Sequence, residues 1–263
     1  MSDTGQVQLR IEAGVARVLF DRPQARNAMT WAMYEQLMAI CRQLREDASI
    51  RVVVLRGAGG EAFVAGTDIA QFQRFGSGPQ GGADGVAYER RIDACLELLG
   101  GLPMPTVAVV EGWCVGGGLA IATACDFRLA TPSAKFGVPI ARTLGNCLSV
   151  ANLARLSAAF GPQRVKRMLL LAELLGADEA LACGYLQAIA APAELDAVVQ
   201  GLTGQLAALA PVTQCVSKEG LRRLTVHNLP AGEDLVRAAY GSADFREGVS
   251  AFVEKRPPVW KGK

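Results

Sequence analysis

Two glycine turns are the parts of this sequence whose residue types and spacing best suit chemistry at the backbone. The first, Gly116-Gly117-Gly118, follows the apolar run Thr106–Val110 and opens a helix of small residues, 119–125. The first N–H groups of a helix have no partner inside it, and a glycine has no Cβ to keep a ligand away. Such a turn suits an anion or a developing oxyanion, although a tightly packed turn without a ligand fits the same pattern.

The second turn, Ala65-Gly66-Thr67-Asp68, comes after another predicted strand, residues 51–56. If the two strands are neighbours, the backbone N–H groups of Thr67 and Gly117 can converge on one carbonyl oxygen. Two converging N–H donors form an oxyanion hole, which stabilises negative charge on that oxygen. The pair of turns therefore predicts chemistry at a carbonyl group.

A third glycine-rich stretch, residues 57–62, has the sequence GAGGEA and superficially resembles a dinucleotide-binding fingerprint. In a Rossmann fold that turn enters a helix directly, whereas here a second glycine turn intervenes. The predicted hairpin upstream is also wrong for a first βαβ unit. We therefore do not expect a dinucleotide site.

Side chains that could act as acids, bases or nucleophiles show no recognised pattern. Seven cysteines stand singly and there is one histidine, which excludes a zinc site and a disulfide framework and predicts reduced thiols. His227 is not accompanied by a Gly-x-Ser-x-Gly motif, so a Ser–His hydrolase is not expected. Cys147 is interpreted as an inert thiol unless something stabilises its thiolate.

Two carboxylates near the turns have structural interpretations as well as catalytic ones. Glu111 ends the central strand, where a hydrogen-bonded turn residue is the favoured interpretation. Asp68 is expected to cap a short helix over residues 69–75 rather than to act as a base. Both stay open as sources of a proton.

Length, charge and hydrophobicity limit the class of protein. The chain has 263 residues, 51% of them hydrophobic, which is enough for one sizeable buried core. A net charge of +2 without a basic stripe argues against a nucleic-acid partner. No apolar stretch is long enough to span a bilayer and the N-terminus does not resemble an export signal, so we expect a cytoplasmic protein with no membrane partner.

The elements that must position the turns are strands alternating with helices, followed by a helical end. Alternation predicts strands at residues 7–12 and 15–20, apolar runs predict strands at residues 51–56 and 106–110, and a further strand is expected at residues 127–130. Helical spacing predicts a first helix capped by Thr30, then helices at residues 86–99, 119–125, 148–159, 162–171, 177–183, 195–210, 212–224 and 232–240. Residues 76–85 are interpreted as a mobile loop beside a site, and residues 132–146 as a loop. The order predicts one α/β domain with a helical C-terminal part.

Five ordered motifs together identify a resemblance to a known family. They are DRPQARNAM, EAFVAGTDI, PTVAVVEGWCVGGGLAIATACDFRLATPSAKFGVP, LGADEALACGYL and SADFREGVSAFVEKRPPVWKGK. In this order they make the chain resemble the crotonase superfamily, the enoyl-CoA hydratase/isomerase family, over nearly its whole length. The resemblance implies a ββα-spiral core over residues 1–200 and a C-terminal helical region over residues 201–263 that packs at an oligomer interface. It also implies trimers or dimers of trimers and a coenzyme A thioester substrate of fatty acid metabolism, with no separate cofactor and no metal.

The resemblance assigns roles to residues of the two turns and of both ends of the chain. Thr67 and Gly117 would supply the oxyanion-hole N–H groups and hold the thioester enolate. Arg26 would lie near the nucleotide, and Lys255, of this or a neighbouring subunit, would reach the coenzyme phosphates. The alternative for Lys255 is that it and Arg256 only pin the C-terminal helix. The remaining residues expected to contact the coenzyme are Ala65, Gly66, Asp68, Ile69 and Gly116.

The chain departs from the family at two catalytic positions. Members that hydrate enoyl-CoA carry two glutamates, where this chain has Ala120 and Ile140. Sliding the alignment by one or two places offers Ala141 or Arg142, so no carboxylate is recovered. Acid–base catalysis contributes about 10²–10⁴-fold per group, so we expect ordinary hydration to be severely reduced. Double-bond isomerisation, decarboxylation, hydration with a displaced acid, and acyl-CoA binding without turnover all remain open.

Overall fold

The computed structural model describes residues 5–262, which form two β-sheets enclosed by α-helices. The strands are β1 (Gln6–Glu12), β2 (Val15–Asp21), β3 (Val52–Gly57), β4 (Ala62–Val64), β5 (Thr106–Val110), β6 (Trp113–Val115), β7 (Phe127–Ala130), β8 (Lys135–Gly137), β9 (Leu175–Gly176) and β10 (Ala188–Ile189). The helices are α1 (Trp31–Glu46), α2 (Pro79–Gly100), α3 (Gly117–Ala124), α4 (Ile140–Thr143), α5 (Val150–Phe160), α6 (Pro162–Leu170), α7 (Ala177–Ala182), α8 (Leu195–Ala208), α9 (Pro211–Val226), α10 (Glu233–Tyr240) and α11 (Ala243–Val253). Short 3₁₀ helices occupy Pro23–Ala25 and Ile69–Arg74.

The two sheets are linked by a repeated ββα unit. The larger sheet has the order β1-β2-β3-β5-β7-β10, with β1 and β2 antiparallel and the other pairs parallel. The smaller sheet has the order β4-β6-β8-β9. Each of β3, β5 and β7 is followed by a short strand of the smaller sheet and then by a helix, α2, α3 or α4. The expected α/β class and ββα spiral are therefore confirmed.

The central strands are buried on both faces, as their unbroken apolar runs predict. Val53 and Leu55 of β3 belong to the main core, whereas Val52 and Val54 belong to a second core formed with α8. In β5, Ala108 and Val110 face the main core in the same way. Buried β5 therefore delivers the chain to Glu111 and the first glycine turn at a fixed position.

The first helix begins and packs as predicted. Thr30 caps α1, and its side chain accepts a hydrogen bond from the backbone N–H of Met33. The inward face includes Tyr34, Leu37 and Leu44, all fully buried. Tyr34 thereby brings a phenol hydroxyl into the interior beside the second glycine turn.

The expected mobile loop at residues 76–85 is wrong, because most of it is the beginning of α2. The glycines of this segment allow α2 to lie close against α10. A Cβ at Gly81 would lie 2.9 Å from the carbonyl oxygen of Tyr240, and one at Gly82 would lie 2.8 Å from that of Arg237. A Cβ at Gly85 would overlap the Tyr240 ring. Helix packing, rather than flexibility, explains this glycine-rich composition.

The elements that the sequence prediction missed include β8, α4, β6 and α11. The loop expected at residues 132–146 contains β8 and α4. The passage between β5 and the glycine triplet contains β6, which pairs with β4 and β8. Helix α11 had not been predicted as a separate element. Three-residue strands have too few residues for a period to be visible.

The C-terminal part is helical, as predicted, from α8 to α11. The predicted division at residue 200 falls inside α8, and the role of the region as an oligomer interface stays a prediction. Helix α9 exposes four large apolar side chains: Val212, Val216, Leu221 and Leu224. Within residues 5–262, no helix combines the length and apolar character needed to cross a bilayer.

Candidate active site

The two predicted glycine turns lie against each other at the ends of β4 and β6. A Cβ at Gly117 would lie 3.7 Å from the backbone nitrogen of Thr67, and a Cβ at Gly116 would lie 3.6 Å from the Cα of Gly66. Within the described part of the chain, the N–H groups of Thr67 and Gly117 donate to no protein acceptor. The two turns are therefore close enough for their free N–H groups to share one acceptor, and their action as an oxyanion hole stays a prediction.

Each glycine of the triplet has a different reason to be glycine. Gly116 has φ +54°, in the left-handed region that favours glycine. A Cβ at Gly117 would lie 2.6 Å from the hydroxyl oxygen of Tyr34. A Cβ at Gly118 would overlap the carbonyl oxygen of Val64. The three glycines thus allow, in order, the turn itself, the close approach of the Tyr34 hydroxyl, and the close contact between α3 and β4.

Flanking hydrogen bonds hold both turns in place. The N–H of Gly116 donates to the carbonyl of Gly137 at 3.0 Å. On the other turn, the carbonyl of Gly66 accepts from the N–H of Met29 at 2.8 Å, and the N–H of Asp68 donates to the Met29 carbonyl at 2.9 Å. These bonds fix the two peptide groups of Thr67 and the N–H that precedes Gly117, and they leave the N–H groups of Thr67 and Gly117 themselves without a protein acceptor in the described structure.

A cavity of about 200 Å³ opens in front of the two free amides. It contains six of the residues predicted for the site: Ala65, Gly66, Thr67, Ile69, Gly116 and Gly117. Ala120 and Ile140 also line it, so the two positions expected to carry glutamate do face this space without a carboxylate. Most of the remaining wall is apolar, including Ile92, Val138, Leu144, Leu148 and Phe252.

Two tyrosines fix the side chain of Thr67. Its Oγ1 lies 2.9 Å from the hydroxyl of Tyr34 and 2.8 Å from the hydroxyl of Tyr88. Burial raises the pKa of both phenols well above its ordinary value, so they stay protonated. This chain of hydroxyl groups ties the turn to α1 and α2, and its member Tyr88 also lines the cavity.

One acidic side chain that sequence reasoning missed, Glu89, also lines the cavity. Its residue is 4% exposed, and its carboxyl oxygens accept hydrogen bonds from the Tyr240 hydroxyl at 2.7 Å and the backbone N–H of Ser149 at 2.9 Å. Burial raises the pKa of Glu89 to about 7, with a smaller increase from the charge of Asp93, although both hydrogen bonds oppose the shift. Helical spacing was the available signal in the sequence. Glu89 lies three residues before the buried Ile92, so both residues lie on the same face of α2.

Two buried amide side chains near Glu89 have unsatisfied atoms. Asn146 donates from Nδ2 to the Tyr240 hydroxyl at 3.1 Å, while its Oδ1 has no donor in the described structure. Asn152 accepts from Arg155 at 3.3 Å, while its Nδ2 has no acceptor there. Both residues line the cavity, so a guest molecule with polar atoms can satisfy groups that are otherwise costly to bury.

Three predicted binding residues lie outside the cavity wall. The Arg26 guanidinium stands 5.7 Å from the centre of the Trp113 ring, and the Arg26 carbonyl accepts from the N–H of Ala65. Asp68 caps the 3₁₀ helix Ile69–Arg74, as predicted, and pairs with Arg22 at 2.9 Å. Lys255 is exposed, three residues beyond Phe252 of the cavity. Their contacts with coenzyme A stay predictions.

The alternative proton donors and nucleophiles are placed in structural roles. Glu111 pairs with Arg56 at 2.6 Å, which confirms its interpretation as a hydrogen-bonded turn residue. Cys147 is half-buried and outside the cavity wall, and burial raises the pKa of its thiol to about 12, as expected for an inert thiol. His227 is exposed at the end of α9.

Comparison with known proteins agrees with this geometry. The sequence pattern of the enoyl-CoA hydratase/isomerase family matches residues 10–263. A short-chain-enoyl-CoA hydratase of Clostridium acetobutylicum is 31% identical over 260 residues, covering 97% of both chains. The solved structure of an enoyl-CoA hydratase/carnithine racemase from Magnetospirillum magneticum is 32% identical with a TM-score of 0.78, covering 98% of this chain and 96% of that one. A methylmalonyl-CoA decarboxylase in complex with 2-nitronate-propionyl-CoA is 27% identical with a TM-score of 0.87, covering 98% of both chains.

Proposed function

Because this chain belongs to the enoyl-CoA hydratase/isomerase family, we propose that it binds an acyl-CoA thioester and stabilises its enolate between the N–H groups of Thr67 and Gly117. The observation that supports this proposal most directly is that Thr67 and Gly117, whose N–H groups have no protein acceptor in the described structure, lie side by side in the wall of one cavity. Negative charge moves to the thioester oxygen when the α-carbon loses a proton, or when its carboxylate leaves as carbon dioxide. Donors already aimed at that oxygen lower the barrier, because they need no reorganisation during the reaction.

Among the reactions of such an enolate, double-bond isomerisation fits the cavity better than ordinary hydration. Hydration needs a water molecule held and activated beside the acyl chain. At Ala120 and Ile140 the wall offers only hydrocarbon. An isomerase needs no water, since it removes a proton from one carbon and returns a proton to another.

Decarboxylation of an acyl-CoA that carries a carboxylate on its α-carbon is the second candidate. It is favoured by the buried Nδ2 of Asn152, a donor without an acceptor in the described structure, which could bind a substrate carboxylate. Replacement of both expected glutamates by Ala120 and Ile140 also removes two negative charges that would repel that carboxylate. Loss of carbon dioxide then yields the same enolate in the same oxyanion hole.

The ultraviolet absorbance of a conjugated enoyl thioester distinguishes these reactions. With a 3-enoyl-CoA, isomerisation raises the absorbance because the double bond moves into conjugation. With crotonyl-CoA, hydration lowers it because conjugation is lost. With methylmalonyl-CoA, decarboxylation is followed instead as released carbon dioxide. Saturable binding without change in any assay would favour a non-catalytic acyl-CoA-binding protein, and absence of binding would refute the proposal.

Coenzyme recognition and assembly are proposed from the family resemblance. Arg26 and Lys255 would contact the nucleotide end of coenzyme A, and residues of the second turn would contact the pantetheine. The exposed apolar face of α9 fits a homotrimer or a dimer of trimers. A cytoplasmic location, a role in fatty acid metabolism and the lack of any separate cofactor stay predictions.

A further inference from the structure

We propose that Glu89 of α2 is the acid–base residue of this site, which removes the proton from the α-carbon of the bound thioester. The inference rests on the proposed function, because it needs a thioester in the oxyanion hole. It assigns a catalytic role to a helix position that carries neither of the glutamates expected from the family resemblance. It also explains how the site can work with Ala120 and Ile140.

The first argument is placement. Glu89 carries the one carboxyl group among the described residues that line the cavity. It shares this wall with Thr67 and Gly117, so an acyl group whose carbonyl lies in the oxyanion hole also contacts the Glu89 wall. The cavity is about 200 Å³, so an acyl group held between Thr67 and Gly117 shares one small space with Glu89.

The second argument is the way the carboxyl is held. Ser149, at the start of α5, and Tyr240, at the end of α10, each donate one hydrogen bond to it. Each carboxylate oxygen accepts two hydrogen bonds, so both oxygens keep a free lone pair. Tyr240 is itself held by Asn146 at 3.1 Å. The group is therefore fixed in orientation but still able to take a proton.

The third argument is the surrounding charge. The titratable groups that face Glu89 are Tyr34 of α1, Tyr88 and Asp93 of α2, Cys147 of the loop before α5, and Tyr240 of α10. The phenols and the thiol have raised pKa values and are neutral at pH 7. Asp93 has an ion-pair partner, Arg155, at 3.6 Å. Because no cation pairs with Glu89 in the described structure, its carboxylate is a stronger base than an ordinary one.

The proton and the electron pairs that move in this step can all be followed between Glu89, the substrate and the oxyanion hole. A carboxylate oxygen of Glu89 forms a bond to the α-proton as the α-carbon–hydrogen bond breaks. The electron pair of that bond forms the carbon–carbon double bond of the enolate, and the carbonyl π pair moves to the oxygen in the hole. Glu89, now protonated, returns the proton to the α-carbon in exchange, or to the γ-carbon of an enoyl substrate in isomerisation.

Exchange of the α-protons of butyryl-CoA in heavy water tests this step without requiring the physiological substrate. Deuterium incorporation is followed by mass spectrometry, and binding of butyryl-CoA is measured in parallel by calorimetry. In the wild-type protein we expect exchange whose rate rises with pH through about 7. Glu89→Gln, which keeps the shape of the side chain, is expected to lower the exchange rate by about 100-fold or more while binding stays within about threefold.

A neighbouring carboxylate provides the matched control. Asp93 lies one turn further along α2 and accepts a hydrogen bond from the Ser149 hydroxyl at 2.8 Å, but it does not line the cavity. Asp93→Asn should therefore retain exchange, with a pH profile moved slightly to lower pH, because the charge of Asp93 raises the pKa of Glu89. Glu89→Asp should retain a slower exchange that still rises with pH, which a purely structural role of Glu89 does not predict.

The outcomes separate this inference from the proposed function. If the wild-type protein does not bind butyryl-CoA, the proposed function fails and this inference fails with it. If it binds but exchanges no α-proton, or if Glu89→Gln exchanges as fast as wild type, Glu89 is not the base although the binding function stands. Equal losses in Glu89→Gln and Asp93→Asn would assign both residues to structure alone.

Discussion

At the scale of single residues, Gly117 offers a test of one backbone hydrogen. Gly117 is the first residue of α3, a position where proline is tolerated by helices. Gly117→Pro removes the N–H donor, and Gly117→Ala adds a Cβ beside the Tyr34 hydroxyl but keeps the donor. We expect kcat for thioester turnover to be about 10²–10³-fold lower in Gly117→Pro than in Gly117→Ala, because removal of one oxyanion-hole donor has an effect of this size.

The comparison between these two variants matters more than either alone, since both disturb the contact with Tyr34. Far-ultraviolet circular dichroism and the thermal midpoint establish that each variant is folded. A folded Gly117→Pro protein with the activity of Gly117→Ala would contradict the assignment of this N–H to the oxyanion hole.

A second residue-scale prediction concerns the pH dependence of stability. The pKa of Glu89 is about 7 in the folded protein, above its ordinary value of 4.5, so the folded state binds this proton more tightly. Below pH 4.5 both states are protonated; as pH rises from 4.5 to 7 the unfolded state loses the proton first, and the folded state loses stability. Glu89→Gln removes this effect, so its free energy of unfolding relative to wild type should increase by about 2–3 kcal/mol from pH 5 to pH 8.

Urea unfolding of the two proteins at both pH values measures that difference. The comparison is made between proteins at each pH, because other groups titrate equally in both and cancel. A difference that is constant with pH, or that decreases as pH rises, would show that the folded protein does not hold the Glu89 carboxyl in its protonated form.

At the scale of elements, the contact between α2 and α10 depends on glycine. A Cβ at Gly85 would overlap the ring of Tyr240, which also holds Glu89. Gly85→Ala should therefore lower the free energy of unfolding by about 1–3 kcal/mol through overpacking, despite the higher helix propensity of alanine. As a control, Gly204→Ala in α8, where an added Cβ meets nothing within 4 Å, should raise it by up to about 1 kcal/mol.

Chemical denaturation of both variants measures these opposite signs. A stabilised Gly85→Ala protein would mean that α10 can move away from α2 at little cost. The same substitution gives different results because the outcome depends on the neighbour of the added methyl group.

Elements could be predicted from sequence where their pattern is long and local. Strand β5 and helix α1 follow from an apolar run and from helical spacing behind the Thr30 cap. The three-residue strands β4, β6 and β8 could not be predicted, because they are specified by pairing with one another across the fold.

The site could be predicted in part for the same reason. Thr67 and Gly117 contribute backbone groups, whose direction follows from the glycine turns themselves. Glu89 contributes a side chain whose hydrogen-bond partners are 60 and 151 residues away along the chain. An acidic residue on a predicted helix is normally assigned to solvent. The spacing to Ile92 suggests the inward face, but the hydrogen-bond partners of Glu89 come from the packing of α10 and α5.

At the scale of the whole molecule, helix α11 reaches the wall of the cavity. Phe252 of α11 lines the cavity, although half of its surface is exposed, and the chain continues to Lys255 in a turn with φ +54°. The N–H of Lys255 donates to the Phe252 carbonyl at 3.2 Å. The C-terminal segment therefore places an exposed lysine three residues beyond the apolar wall of the cavity.

This position predicts that Lys255 contributes to affinity through the coenzyme phosphates rather than through the acyl group. Lys255→Ala should weaken binding of butyryl-CoA severalfold, since an exposed ion pair contributes up to about 1 kcal/mol, and the loss should shrink as salt is raised. Binding of butyryl-pantetheine, which lacks the nucleotide and its phosphates, should not change. Lys261→Ala removes the same charge six residues further along the exposed tail and serves as the control. If Lys255→Ala weakened binding of butyryl-CoA and of butyryl-pantetheine equally, Lys255 would only pin the end of α11. If Lys255→Ala and Lys261→Ala weakened binding of butyryl-CoA equally, Lys255 would act only through the net charge of the protein.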